Sequence, residues 1–294
     1  MNKRLEIKRL CIYLFFSFGI AWAIFFAFIF TGHKWDGSNT EMEAVVGLGM
    51  LAPVMANLIT RWITREGFAV TGKDSLMLGI SFRNKKWLYY LFALLVPWLY
   101  FELGAVLILA IVPKSFDSEY IKVLEVDKTL VFVLPFICMI GGTIGSFAAF
   151  GEEGGWRGYM MPKLMNLMSL PKAVIVGGII WGIWHAPLTI VGHNFGTDYP
   201  GAPYLGIVIM CIDCTFMGIM LTYITMKTNS IWPAAIMHAV NNQNPTILSV
   251  FVNTEILEKN GINQFLRIAI SMFPSGILGM ICLFLMIRDV KKEK

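Results

Sequence analysis

Residues 130–157 read LVFVLPFICMIGGTIGSFAAFGEEGGWR, and the reading of this stretch decides the fold. No charged residue falls between positions 130 and 151, a length that suits a helix crossing the ~30 Å hydrocarbon core of a bilayer. Two acids, Glu152 and Glu153, then follow, with Arg157 one helical turn after Glu153. A charge at the centre of a membrane helix costs roughly 2.5–3.5 kcal/mol on insertion scales. Either this helix end meets water, or the charges line a polar cavity inside the bilayer.

The rest of the chain argues for a membrane. Of 294 residues, 56% are apolar and only 15% charged, and the mean hydropathy is +0.66. A soluble domain would carry about 25% charged residues. Apolar runs recur at 10–30, 43–63, 87–112, 130–151, 172–192, 204–226, 231–251 and 265–287, which predicts about eight transmembrane helices in one domain covering 1–294. The expected fold is all-α and polytopic. The net charge of +5 comes from basic residues at the ends and between apolar runs, not from a nucleic-acid-binding stripe, so the lipid bilayer is the expected partner and nucleic acid is not.

Placing the N-terminus in the cytoplasm puts eighteen Lys and Arg residues on inner segments against five on outer ones, with Arg267 at a helix boundary unassigned. The positive-inside rule then puts both termini in the cytoplasm. The basic start, Lys3-Arg4 and Lys8-Arg9, leads into an apolar run too long for a signal peptide, with no small-x-small site after it, so a retained first helix is expected. Compact loops and a short Lys-rich tail suit a bacterial plasma membrane. Residues 113–129 are expected as an outer loop with a short helix, and 65–86 as the longest inner loop. His33 and His193 are expected in solvated outer loops.

Three motifs carry chemistry. On a continuous helix Glu153 and Arg157 share a face and can pair, while Glu152 lies about 100° away and keeps a reactive lone pair. Gly154 and Gly155 leave room beside the carboxylates for a substrate backbone or water. In the fifth span, Trp181 and His185 are one turn apart, and Pro187 predicts a kink just past the imidazole. The seventh span opens with Ser230 as N-cap and Pro233 in the first turn. It continues to His238 and Asn242, which share a face and can both donate hydrogen bonds. Counting 1.5 Å per residue sets His185 ~20 Å and His238 ~10 Å from the inner ends of their helices, which a kink, a tilt or a late helix start would reconcile. Cys211-x-x-Cys214 reads as packing, since no second Cys or His pair accompanies it. Gly178-x-x-x-Gly182 has the spacing of a close helix contact.

The pattern Glu-Glu-x-x-x-Arg, aromatic-x-x-x-His, His-x-x-x-Asn resembles the CAAX protease and bacteriocin-processing (CPBP, or Abi) intramembrane proteases, which include the Ras-converting CAAX prenyl endopeptidases. The matching residues are Glu152, Glu153 and Arg157, then Trp181 and His185, then His238 and Asn242, all within a core at about 130–251. Trp181 stands where that family often has Phe. The resemblance implies an eight-helix endopeptidase with its site open to the cytoplasm, acting on a peptide or protein at the membrane. In it Glu152 is the general base and polarises water with His185, His238 and Asn242 hold the oxyanion, and Glu153 and Arg157 brace the site.

Cofactor use stays open on sequence. Glu152, His185 and His238 could supply three ligands to zinc, leaving water in the fourth position. A water activated directly by Glu152 explains the same residues without metal. Two other functional classes compete: a transporter whose ionisable residues form a proton or solute path, and a non-catalytic immunity or scaffold protein.

Overall fold

The computed structural model describes residues 3–32, 40–72, 74–123, 127 and 129–292. His33, Lys34, Lys73, Lys128 and Lys294, used in the sequence reading, lie outside them. Among the described residues the fold is all-helical, with one isolated antiparallel bridge between Phe116 and Val252. The helices are α1 (Lys3–Phe30), α2 (Thr40–Met50), α3 (Ala52–Thr64), α4 (Trp87–Ile111), α5 (Tyr120–Val123), α6 (Leu134–Gly155) and α7 (Met161–Leu167). They continue as α8 (Leu170–Trp184), α9 (Ala186–Ile190), α10 (Tyr204–Thr228), α11 (Trp232–Asn242), α12 (Thr254–Lys259), α13 (Gln264–Ser271) and α14 (Phe273–Lys292).

Six helical stretches of the described residues are long and apolar enough to cross a bilayer, and Leu170–Trp184 is a shorter apolar helix. The protein is a polytopic, all-α membrane protein. Each apolar run of the sequence corresponds to a helical region, but several are broken. Pro53 starts α3 directly after α2 and Pro187 starts α9 directly after His185, because proline lacks the N–H that a continuing helix needs. The seventh run is helical only to Asn242. Beyond it lie a turn and a short 3-10 segment, Leu248–Phe251, so the expected span 231–251 is half helix and half loop. Ser230 is not the N-cap of α11: Ile231 holds that position, and the Ser230 hydroxyl accepts from the Trp232 N–H at 3.3 Å.

The fourth run is longer than expected. After α6 a π-helical turn, Trp156–Met160, joins directly to α7, making one 34-residue rod over Leu134–Leu167. Glu152 and Glu153 therefore sit in the body of a rod and not at its end. Glycines let other helices close on the motif-bearing ones. A Cβ at Gly182 would lie 2.7 Å from the Cys211 nitrogen, and one at Gly178 would meet Thr215, so α8 and α10 touch backbone to backbone. The two cysteines serve this packing: Cys211 Sγ lies against the Ile179 carbonyl, and Cys214 is buried.

The two ends of the bundle differ. One end carries both described chain ends, the 65–86 loop and α7. There Glu66, its side chain 2% exposed, receives Lys163 Nζ at 2.5 Å and the Tyr159 hydroxyl at 2.5 Å, with Arg9 Nε at 3.4 Å. Arg61 donates to the carbonyls of Gly67, Asp74 and Ser75, folding the loop back under the bundle. α11 starts on top of that loop: Ile231 N donates to the Met77 carbonyl, and the Trp232 indole to that of Leu78. The start of α11 is thereby set inside the protein, which helps bring His238 and His185 to one cavity. The opposite end carries the 113–129 segment, which includes the expected short helix α5, and the 191–203 and 243–263 segments.

Candidate active site

Glu152, His185, His238 and Asn242 all line one cavity of about 880 Å³. Glu152 and His238 lie at its buried end, 2% and 4% exposed. Asn242, Gln243, Asn244 and Asn194 are exposed at the other.

Glu152 is held by two indoles. Its Oε2 accepts from Trp156 Nε1 at 3.0 Å and from Trp181 Nε1 at 2.6 Å. Trp156 is four residues on in the same rod, whereas Trp181 reaches across from α8. Charge-assisted bonds of this kind fix a carboxylate firmly and leave Oε1 for a water or substrate. The indole of Trp181 therefore does more than pack beside His185, whose ring centroid is 6.0 Å away.

His185 Nδ1 lies 2.9 Å from the Trp181 carbonyl. A carbonyl can only accept, so Nδ1 carries the proton and neutral His185 presents the lone pair of Nε2. The break at Pro187 makes His185 the C-cap of α8, between that helix and α9.

Behind these lies a buried charge cluster. Glu153, fully buried, accepts from Arg157 Nη1 at 3.1 Å and from His238 Nδ1 at 2.8 Å, both on Oε1. Arg157 also stands 4.3 Å over the Trp181 ring, a cation–π contact. The i,i+4 pairing expected for Glu153 and Arg157 is present, although the π-helical turn begins between them. With Nδ1 committed to Glu153, His238 can donate from Nε2 only as the imidazolium, a charge that Glu153 is placed to balance. At the end of α11, Asn241 Nδ2 donates to Asn242 Oδ1 at 3.2 Å, which leaves the Asn242 amide protons available. Asn241 is itself fixed by the Tyr100 hydroxyl.

Two expectations need correction. The space beside Gly154 and Gly155 is not open to substrate. A Cβ at Gly155 would lie 2.5 Å from the Pro53 carbonyl carbon, and the Gly154 carbonyl accepts from Asn57 Nδ2 at 2.7 Å, so α3 fills it. His193 is not simply a solvated loop residue, because it lines the cavity. Burial, with a smaller push from His185, takes its imidazole down to about 4, so it stands neutral at pH 7. Along the bundle the lining is uneven: among the described residues none of 61–86 or 157–172 lines the cavity, while Asn194, Phe195, Ser249, Val252 and Arg267 do. The rod continues past Glu152, and the Glu66 cluster fills the space beneath.

Sequence reasoning also missed Asp213, Tyr100 and Glu43, which line the cavity from α10, α4 and α2. Asp213 and Glu43, as acids in or beside apolar runs, were visible as signals. Among the described residues, no three His, Cys, Asp or Glu side chains gather closely enough to hold a metal ion. Glu152, His185 and His238 share the cavity without forming such a group, and their arrangement does not fit a zinc site.

A carboxylate and an imidazole thus share one cavity inside a helical membrane bundle. Residues 132–243 match the family described as Type II CAAX prenyl endopeptidase Rce1-like. Over 146 residues the chain is 30% identical to CAAX prenyl protease 2 of Methanococcus maripaludis, a stretch covering 49% of this chain and 47% of that relative. The chain thus spans about half the length of the curated relative it matches. Through this stretch the chain is similar to the CAAX prenyl endopeptidases. All seven site residues named from the sequence fall within 132–243, and α1–α4 lie outside it.

Proposed function

We propose that this chain is an intramembrane endopeptidase in which residues 1–294 act as a single domain and hydrolyse a peptide bond of a membrane-associated protein or peptide. The observation that carries the reading is the pair of free acceptors, Glu152 Oε1 and His185 Nε2, on residues lining the same cavity. A water between them can hydrogen-bond to both, and Glu152 takes its proton as the oxygen attacks the scissile carbonyl. The oxyanion that forms is held by His238 Nε2–H and the Asn242 amide. Donors in a site shielded from water are worth roughly 2.7–4 kcal/mol each. As the tetrahedral intermediate collapses, Glu152 returns the proton to the departing amine. Glu153 and Arg157 hold His238 in position and do not touch the reacting atoms.

The cluster at Glu66 disfavours the transporter alternative, since the cavity has no lining residue at that end of the bundle. A non-catalytic scaffold would not need the two indoles that orient Glu152. The test is a comparison of membrane-associated peptides in cells carrying wild type or Glu152→Gln. The reading expects intact precursors to accumulate only with Glu152→Gln; identical peptide profiles would reject it.

A further inference from the structure

We infer that α4 positions the oxyanion donor: Tyr100 and Glu102, acting through Asn241 and through the segment after α11, hold the Asn242 amide at the cavity wall. The catalytic half of this inference rests on the peptidase reading; the clasp of α4 on the end of α11 does not.

Glu102 is the one charged residue of α4, and it falls two positions after Tyr100. Neither belongs to the stretch 132–243 that matches the CAAX prenyl endopeptidases. An acid inside a membrane span is costly and calls for a reason. The reason lies across the bundle. α11 stops at Asn242, part-way along the apolar run 231–251, and the 3-10 segment Leu248–Phe251 follows. The first amides of such a segment have no partner within it. Glu102 supplies one: its Oε1 accepts from the Ile247 N–H, and its Oε2 from the Leu248 N–H at 3.1 Å. Trp98 Nε1, one turn earlier in α4, donates to Oε1 at 3.1 Å and fixes the carboxylate.

The second contact falls on the last turn of α11. The hydroxyl of Tyr100, a buried residue, donates to Asn241 Oδ1. With its oxygen taken, Asn241 turns Nδ2 to Asn242 Oδ1 at 3.2 Å. The Asn242 side chain is then held by its oxygen, and its amide protons are left to meet a carbonyl oxygen in the cavity that all three residues line. Tyr100 and Glu102 thus grip the chain on either side of Asn242, at 241 and at 247–248, from a single helix. That helix is itself closely seated, since a Cβ at Gly104 would lie 3.0 Å from the Ser271 carbonyl oxygen. A donor held in place before the oxyanion forms needs no reorganisation when the charge develops.

The clasp is read without any substrate. Hydrogen–deuterium exchange on the detergent-solubilised chain is expected to show residues 243–251 exchanging about 5- to 10-fold faster in Glu102→Gln than in wild type, with α8 unchanged. The amide keeps the shape but accepts without charge assistance. Equal exchange overturns the clasp. The catalytic half is read on the precursor that accumulates with Glu152→Gln. Tyr100→Phe is expected to lower kcat about 3- to 10-fold, the worth of one neutral hydrogen bond, with KM nearly unchanged. In an Asn242→Ala background the same substitution changes nothing further, since the group it positions is gone. An equal loss in both backgrounds makes Tyr100 a packing residue and overturns the inference. Should Glu102→Gln fold poorly, Tyr100→Phe, which removes a single oxygen, decides the matter. If no precursor accumulates, the peptidase reading falls and the exchange measurement still decides the clasp.

Discussion

The indole nitrogen of Trp181 donates to Glu152 Oε2 at 2.6 Å, joining α8 to the 134–167 rod at the carboxylate by which that rod lines the cavity. Phenylalanine at this position would supply the ring without the donor. A hydrogen bond to a charged group contributes about 1.5–3 kcal/mol. If that orientation is fully used in the transition state, Trp181→Phe lowers kcat by about 10- to 150-fold with KM nearly unchanged. Steady-state kinetics on a peptide cleaved by wild type checks this; an unaltered kcat would remove the indole from the mechanism.

The proposed roles rank the cavity residues. Glu152→Gln and His185→Ala abolish cleavage, since the water loses its base in one and its second acceptor in the other. Asn242→Ala is milder, on the order of 100- to 1,000-fold, as for the loss of one oxyanion donor. All three keep wild-type yield and helix content by circular dichroism. An Asn242→Ala protein as inactive as Glu152→Gln would contradict the assignment.

Arg157 acts on the fold. Its removal leaves Glu153, fully buried, with only His238 as partner. Breaking a buried ion pair by removing one member typically costs about 3–5 kcal/mol. Arg157→Ala is expected to cut detergent-solubilised yield and melting temperature sharply, while adding Glu153→Gln restores part of both by removing the stranded charge. Failure of the second substitution to help would mean that Arg157 acts by packing against Trp181.

The Glu66 cluster makes its end of the bundle sensitive to acid. Burial alone would raise the Glu66 carboxyl, but bonds from Lys163, Tyr159 and Thr64 outweigh it and hold it below its ordinary 4.5. A carboxylate depressed in the folded state stabilises fully above its unfolded value, and that stability is lost as the pH falls through the folded one. The melting-temperature gap between wild type and Glu66→Gln is therefore widest above about pH 5 and closes below 4.5. A gap that persists unchanged at pH 3 would mean that Glu66 acts through shape alone.

Metal dependence is open to direct measurement. With Glu152 activating water unaided, protein washed with a strong chelator keeps its peptidase activity. Loss of activity restored by one equivalent of zinc, and blocked by His185→Ala or His238→Ala, would reverse this.

Much of the site was legible because its residues recur at helical spacing. Glu153 with Arg157, His238 with Asn242 and the Gly178–Gly182 pair each follow from one turn of one helix. The link from Trp181 to Glu152 spans 29 residues and two helices, so spacing on either helix could not show it. The extent of the cavity along the bundle was not legible for a related reason. Counting residues from an apolar boundary measures depth in one helix, whereas the filled end is made by α7, α3 and the 65–86 loop together. Charge after position 151 looked like the end of a span, but the rod runs on to Leu167 because Trp156 and Tyr159 bury as fully as any core residue.

The cavity meets the surface in two places: among the exposed Asn194, Asn242 and Asn244 at one end, and at the exposed Gly145 and Ala148 partway along the rod. On the peptidase reading, a fragment released at Glu152 need not retrace the path of the chain it came from, and products and fresh substrate do not have to share one passage.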